Sequence, residues 1–215
     1  NNLIKFIMYT IIIPCYNEEK TIKLVLDEIQ RNYNFQIIVV DNGSTDGSKD
    51  IITSYKNIDY IYANLKGKGN AILAAIPHVK HDTVILIDAD NEYPADQIQL
   101  LISEITNKKQ MLIGVRPKDK MLKSSLIANF LIQLILKLKY KQHIEDCLTG
   151  LRIIPTKILS QLKSKDFSVE TELNIRCLKN NILIKNVPIE YTPRIIGKKI
   201  KFHDMFSLVK VAMYS

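Results

Sequence analysis

The sequence predicts an α/β protein built on a doubly wound, mostly parallel sheet with helices on both faces. Apolar, β-branched runs recur at residues 8–13, 36–40, 58–62, 83–87 and 111–115, each short enough for a strand buried on both sides. The segments between them carry apolar residues at helical spacing, and parallel neighbours need such crossovers. Polar motifs follow several of the runs, where open parallel sheets bind ligands beyond the strands' carboxyl ends.

Met8 to Ile13 leads into Pro14, which is expected to stop the sheet ladder because it has no N–H to donate. Ile22, Val25, Leu26 and Ile29 then mark one face of a helix. Gln36 to Val40 opens into Asp41-Asn42-Gly43-Ser44-Thr45-Asp46-Gly47, a tight-turn composition. Ile58 to Tyr62 leads to Lys66-Gly67-Lys68-Gly69-Asn70 ahead of another helix. Thr83 to Ile87 delivers Asp88-Ala89-Asp90 to a strand end, and Ile98, Leu101, Ile102 and Ile105 pattern a helix after Pro94, which suits a first turn. Met111 to Val115 leads to Arg116.

Met121 to Leu138 differs, being apolar over most of its circumference and bounded by Lys120, Lys123, Lys137 and Lys139. It is too short to span a bilayer, which wants roughly 20 apolar residues. That leaves a core helix or one lying in a membrane interface. Lys198 through Lys201, followed by Phe202, Met205, Phe206, Leu208 and Val209, repeats the basic-plus-apolar theme and leans towards a membrane surface, so one domain over residues 1–200 with an amphipathic segment at 201–215 is expected.

The chain's 215 residues and 47% hydrophobic content suit one domain with a sizeable core. Cys15, Cys147 and Cys177 are odd in number and lack C-x-x-C spacing, which argues against a disulfide framework or a zinc site. No cleavable signal pattern is read at the N-terminus, so secretion is not expected, and Met8 is a candidate start. The net charge of +8 implies an anionic partner: phosphate, nucleic acid or an acidic membrane. Nucleic acid is disfavoured, since no helix-turn-helix, RNP motif or basic-aromatic stripe appears.

Asp88 and Asp90, one residue apart, suit a hard divalent cation such as Mg²⁺ or Mn²⁺, with Glu92 a possible third oxygen donor. An acidic turn closing a strand is the other reading of the same spacing. An EF-hand is disfavoured because Tyr93 stands sixth from Asp88, where the loop needs glycine. Tyr16 offers a ring for a base to stack on, with Asn17 or Glu18 to hydrogen-bond it; alternatively Asn17 or Thr21 caps a helix. Asp41 and Asn42 are placed to reach a nucleobase or ribose. The glycines around Lys68 would let backbone amides approach a ligand while lysines offset phosphate charge, although a solvated turn fits equally. Asp146 and Arg152 could simply pair, and Glu170 and Glu172 could serve a helix dipole. No histidine has ligand spacing, and G-x-G-x-x-G is missing after the first strand, which disfavours NAD.

Taken in order, P-C-Y-N-E, V-D-N-G-S-T-D-G, G-K-G-N-A, D-A-D, G-V-R, D-x-x-T-G-x-R, V-E-T-E and P-R-x-x-G-K-K resemble the family 2 glycosyltransferases of GT-A fold over nearly the whole chain. Within that family the chain looks most like the polyprenyl-phosphate or dolichyl-phosphate hexosyltransferases. The resemblance implies that Pro14, Tyr16, Glu18, Val40, Asp41, Asn42, Lys68, Asp88, Ala89, Asp90 and Arg116 bind the nucleotide sugar. It assigns a Mg²⁺ or Mn²⁺ ion to Asp88 and Asp90 with Glu92, catalysis to Asp90, Arg116 and Asp146, and the acceptor phosphate to Arg152, Arg194, Lys198 and Lys199. Glu92 stands where relatives often have glutamine, and Asn42 replaces a frequent aspartate, a variant associated with UDP-sugars rather than GDP-mannose.

The expected activity is therefore metal-dependent, inverting transfer of a hexose from a UDP- or GDP-sugar to a polyprenyl phosphate, by an enzyme peripheral on the cytoplasmic face of a membrane. A saccharide acceptor, or a non-catalytic nucleotide-sugar-binding protein, is the alternative. A membrane-anchoring subunit or homo-oligomer is a possible partner. Processive synthases carry Q-x-x-R-W, and this chain has no tryptophan. Nucleotidylyltransferases open instead with a glycine-rich, arginine-containing loop.

Overall fold

The computed structural model describes residues 8–107, 109–166, 168–194, 208 and 211–213. Its centre is a sheet of seven strands: β1 (Tyr9–Cys15), β2 (Gln36–Asp41), β3 (Asp59–Tyr62), β4 (Thr83–Leu86), β5 (Gln110–Val115), β6 (Arg152–Pro155) and β7 (Leu183–Pro188). The spatial order is β3-β2-β1-β4-β6-β5-β7. Only β6 runs against its neighbours, pairing antiparallel with both β4 and β5. The carboxyl ends of the other strands consequently share one edge, and the loop entering β6 arrives at that same edge.

All five expected strands are present within a residue or two of their expected bounds, whereas β6 and β7 were not anticipated. Their runs, Arg-Ile-Ile-Pro and Leu-Ile-Lys-Asn-Val-Pro, are short and polar at one or more positions, which weakens an apolar-run signal. Pro14 does not end β1: it sits opposite Val40 in the parallel register, and β1 continues through Cys15.

Alternation along the central strands feeds two cores. Ile12, Ile38 and Val40 face one layer, with Ala71, Ile72 and Ala75 of α3 (Lys68–Ala75), Ile132 and Leu136 of α5 (Lys123–Tyr140), and Leu173 of α7 (Val169–Lys179). Ile11, Ile13 and Val39 face the other, where α1 (Ile22–Asn32) buries Ile22, Val25, Leu26 and Ile29 and α4 (Gln97–Ser103) buries Ile98 and Leu101. Period 2 in the strands and period 3.6 in the helices thus meet on both sides. Two short helices, α2 (Ser48–Thr53) and α6 (Thr156–Leu159), complete the layers. The α4 helix starts three residues beyond Pro94, whose carbonyl instead accepts from Gln97 N in the preceding turn. All three cysteines are buried.

The α5 helix enters the core on one side and leaves apolar residues exposed on the other. Ala128, Asn129, Ile132 and Leu136 are buried, while Ile127, Phe130, Leu131, Leu134 and Leu138 on the other side are exposed. Among the described residues no helix is long and apolar enough to cross a membrane.

A candidate donor-binding cleft

The shared carboxyl edge of β1, β4 and β5 opens into a cleft of about 830 Å³. Pro14, Tyr16 and Glu18 come from the turn after β1, and Asn42 from the turn after β2. Lys68 comes from the first turn of α3, and Asp88, Ala89, Asp90 and Glu92 from the loop after β4. Arg116 follows β5, and Arg194 lies beyond β7.

Each acidic member of the D-A-D motif faces a cation. Asp88 Oδ1 lies 2.5 Å from Lys68 Nζ, which also meets Glu170 Oε1 at 2.6 Å. Burial opposes the charge on Lys68, but Asp88 and Glu170 outweigh it and hold the ammonium well above its ordinary pKa. Asp90 Oδ2 lies 3.1 Å from Arg194 Nη2, and Arg194 is also forked onto both carboxylate oxygens of Glu18 at 2.7 and 3.1 Å. Burial, followed by the charges of Asp88 and Glu92, raises Asp90 to about 7 against the pull of Arg194. The loop therefore concentrates more negative charge than its neighbours offset.

Three glycines hold this frame, for steric reasons. A Cβ on Gly150 would lie 2.1 Å from Asp88 Oδ2, so the Thr149-Gly150 turn presses its backbone against that carboxylate. Gly150 N donates to Tyr93 Oη at 2.8 Å, which fixes the turn from the other side. Gly67, which lines the cleft, and Gly69 also give protein backbone room: added Cβ atoms would meet Lys165 O at 2.1 Å and Ser164 O at 2.0 Å.

A second pair stands deeper. Arg116 Nε and Nη2 bond Asp146 Oδ2 and Oδ1 at 2.7 and 2.8 Å, a bidentate fork, and its guanidinium lies 5.5 Å from the Tyr191 ring centroid. Asp146 also accepts from Asn129 Nδ2 at 3.0 Å. Burial alone would raise Asp146, but the bonds from Arg116 and Asn129 hold it below the ordinary carboxyl value.

Several residues singled out in the sequence lie elsewhere. Arg152 is fully buried beneath the sheet edge, donating to Thr149 O, Glu170 O and Asn174 Oδ1, so it cannot meet an acceptor phosphate, and Asp146 pairs with Arg116 rather than with it. The Val40 side chain lies in the core. Asp41 is buried, accepting from Ser44 N and Tyr60 Oη, and serves the turn rather than a ligand. Asn42 reaches the cleft, but its amide is spent on Ala63 O, Leu65 O and Gly67 N. Glu92 accepts from Tyr191 Oη at 2.5 Å and Arg194 N at 2.7 Å, which ties down the segment after β7 and makes it a poor third metal ligand. Lys198 and Lys199 lie outside the described residues, as does most of 201–215.

Neither capping alternative holds for the first turn, since Thr21 donates to Ala89 O at 2.9 Å and Asn17 Oδ1 accepts from Thr45 N at 2.8 Å. Glu170 lines the cleft although its position suggested only a helix-dipole role; V-E-T-E within the ordered motif set was its signal. Gly150 was legible only as the G of T-G-x-R.

The residues present suit a divalent cation. Asp88 and Asp90 both open onto the cleft, with side chains 26% and 16% exposed, and their mutual repulsion is the kind a cation relieves. Among the described residues no group of three or more His, Cys, Asp or Glu side chains could hold a metal. An ion on these two carboxylates would complete its shell from water and phosphate oxygens, as Mg²⁺ commonly does.

The chain is similar to several known proteins. A UDP-N-acetylglucosamine–dolichyl-phosphate N-acetylglucosaminyltransferase from Methanococcus voltae is 30% identical over 210 residues, covering 84% of each chain. A dolichyl-phosphate beta-glucosyltransferase from Trichomonas vaginalis is 25% identical over 95% of this chain and 73% of its own. The glycosyltransferase AglJ of Haloferax volcanii is 28% identical over 86% of this chain, which spans only 63% of that relative. Among solved structures, glucosyl-3-phosphoglycerate synthase from Mycobacterium tuberculosis with phosphoglyceric acid gives a TM-score of 0.79 at 20% identity, covering 97% of this chain and 79% of that one. The same enzyme with Mn²⁺ and UDP-glucose gives 0.72 at 20% identity, covering 95% and 76%. These structural likenesses establish the GT-A fold. Residues 10–162, from β1 to just past α6, match the family described as Glycosyl transferase family 2, and the chain is a glycosyltransferase belonging to that family.

Proposed function

We propose that the protein is a metal-dependent, inverting transferase that moves a hexose from a UDP-sugar to a polyprenyl phosphate. One observation carries the reading: two carboxylates share an open cleft with Lys68, Arg116 and Arg194, so sites for a cation and for anions adjoin. The relatives named for dolichyl-phosphate transfer support the acceptor class. Residues 1–200 are read as one catalytic domain, peripheral on the cytoplasmic face of a membrane.

Asp88 and Asp90 would hold Mg²⁺ or Mn²⁺, which supplies Lewis-acid stabilisation of charge on the leaving diphosphate when bound. Lys68 and Arg194 already stand against those carboxylates, placing fixed positive charge where the diphosphate would lie. Arg194 Nε is buried and has no hydrogen-bond partner among the described residues, which leaves a donor for a phosphate oxygen. Tyr16, with Lys66 Nζ 5.4 Å from its ring centroid, offers a face for the base. Arg116, oriented by Asp146, is placed to orient an incoming phosphate.

A phosphate acceptor is ionised near neutral pH and needs no strong general base, which suits a cleft with no histidine among its described lining residues. Attack in one in-line step on the anomeric carbon forms the new C–O bond as the bond to the diphosphate breaks, so the configuration inverts. The test is incubation with Mn²⁺, a panel of UDP- and GDP-hexoses and a short polyprenyl phosphate, followed by NMR of the glycolipid. An inverted glycolipid from a UDP-hexose supports the proposal; no glycolipid from any donor, or a retained anomeric centre, overturns it.

A further inference from the structure

We propose that the outward face of α5 is a docking surface for an anionic lipid bilayer, and that it sets the cleft mouth at the membrane. Ile127, Phe130, Leu131, Leu134 and Leu138 fall on one stripe of the helix and are 37–75% exposed, opposite the stripe that enters the core. A contiguous exposed apolar stripe on a folded protein marks an interaction surface.

Charge selects the occupant. From Lys120 to Ile144 the chain holds no acidic residue, while Lys120, Lys123, Lys137, Lys139 and Lys141 bracket the stripe. An apolar face with lysines at its margins complements acidic headgroups above an acyl boundary. The helix is not long and apolar enough to cross, and its core stripe is already packed, so the proposal lays it in the plane of the interface. Lys139 Nζ donates to Met213 O at 2.9 Å, bringing the exposed Met213 to the same end.

Position gives the face its use. Leu122, Ser124, Ser125 and Ala128, at the start of α5, line the cleft that holds Asp88 and Arg116. A helix seated in the headgroup layer therefore holds that cleft beside the lipid. The docking surface stands on the helix alone; entry of a polyprenyl phosphate along it rests on the transfer reading above.

The test is flotation with phosphatidylcholine vesicles, with and without phosphatidylglycerol, of wild type and of Ile127→Ser/Phe130→Ser/Leu138→Ser, with light scattering for mass. Wild type should float with the anionic vesicles, and the triple variant's partition should fall at least about tenfold. UDP binding should stay unchanged, which shows that the variant is folded. Lys123→Gln/Lys137→Gln, altered only at exposed lysines, should lose the preference for anionic over neutral vesicles. The proposal is overturned if wild type does not float, if the triple variant floats equally, or if its substitutions only split a dimer without changing partition. Flotation consumes no donor, so wild type that floats yet forms no glycolipid sinks the transfer reading and leaves the surface standing.

Discussion

Replacing Gly150 by alanine adds one methyl group where the structure has no room for it. The new Cβ would lie 2.1 Å from Asp88 Oδ2 and 2.8 Å from Asp88 Cγ, against an ordinary contact of at least 3.4 Å. The carboxylate must therefore retreat by about 1.3 Å, and a displacement near 1 Å in a reacting site costs on the order of 10²-fold in rate. The same retreat breaks the 2.5 Å contact to Lys68 and leaves a buried ammonium with Glu170 alone. Overpacking of this kind destabilises by about 1–3 kcal/mol. The assay pairs thermal unfolding with calorimetric titration of a UDP-sugar in Mn²⁺. Gly114→Ala is the control, because its Cβ would meet Ile189 Cδ1 at 2.6 Å, in the core rather than in the cleft. Both variants should lose stability, but only Gly150→Ala should lose donor affinity and turnover. Wild-type donor binding and turnover in Gly150→Ala would refute the claim that Asp88 is held in place by that backbone contact.

Asp146→Asn should lower stability by about 3 kcal/mol, since a buried arginine loses its charge partner, and urea unfolding measures it. Because Asp146 is depressed in the fold, its contribution is present above the ordinary carboxyl value of 3.8 and is lost as pH falls through the lower folded value; an acid-unfolding series on both proteins should show the variant lacking that component. Asp90 behaves oppositely: raised to about 7 chiefly by burial, it keeps a proton that the unfolded chain releases above 3.8, so metal-free wild type should lose stability as pH rises through that window. Thermal unfolding in chelator should show this decline in wild type and a smaller one in Asp90→Asn. Arg152→Ala should unfold more easily by at least about 3 kcal/mol, because its buried partners are orphaned, and any activity left in the folded fraction should keep its acceptor KM. Arg194→Ala should instead weaken donor binding, raising the UDP-sugar KM in steady-state kinetics, with a smaller loss of melting temperature.

The parallel core was legible because Ile11, Ile12 and Ile13 and their counterparts form unbroken apolar runs, which a sheet covered on both faces requires. The β6 strand was not, because Arg152 begins it and its antiparallel pairing is a tertiary outcome that no local pattern encodes. That one strand explains two errors. Arg152 looked like a phosphate ligand because it follows a polar loop, yet entering the sheet buries it among Thr149, Glu170 and Asn174. Asp146 looked like its partner by proximity in sequence, yet the loop turns the carboxylate towards Arg116. Val40 and Asp41 failed similarly: a strand-tip position does not say which face a side chain takes. The D-A-D motif was legible because its chemistry is local. Its cationic neighbours Lys68 and Arg194, 20 and 104 residues from the aspartates they meet, were legible as site members but not as those aspartates' partners.

The central claim is that Asp88 and Asp90 together grip a cation on the donor's diphosphate. Calorimetric titration of a UDP-sugar into wild type and Asp90→Asn, with Mn²⁺ and with chelator, tests it most directly. Wild type should bind the donor tightly only with Mn²⁺, and the variant should show the weak, metal-independent binding of chelated wild type. Equal Mn²⁺-dependent affinity in both proteins would contradict the claim.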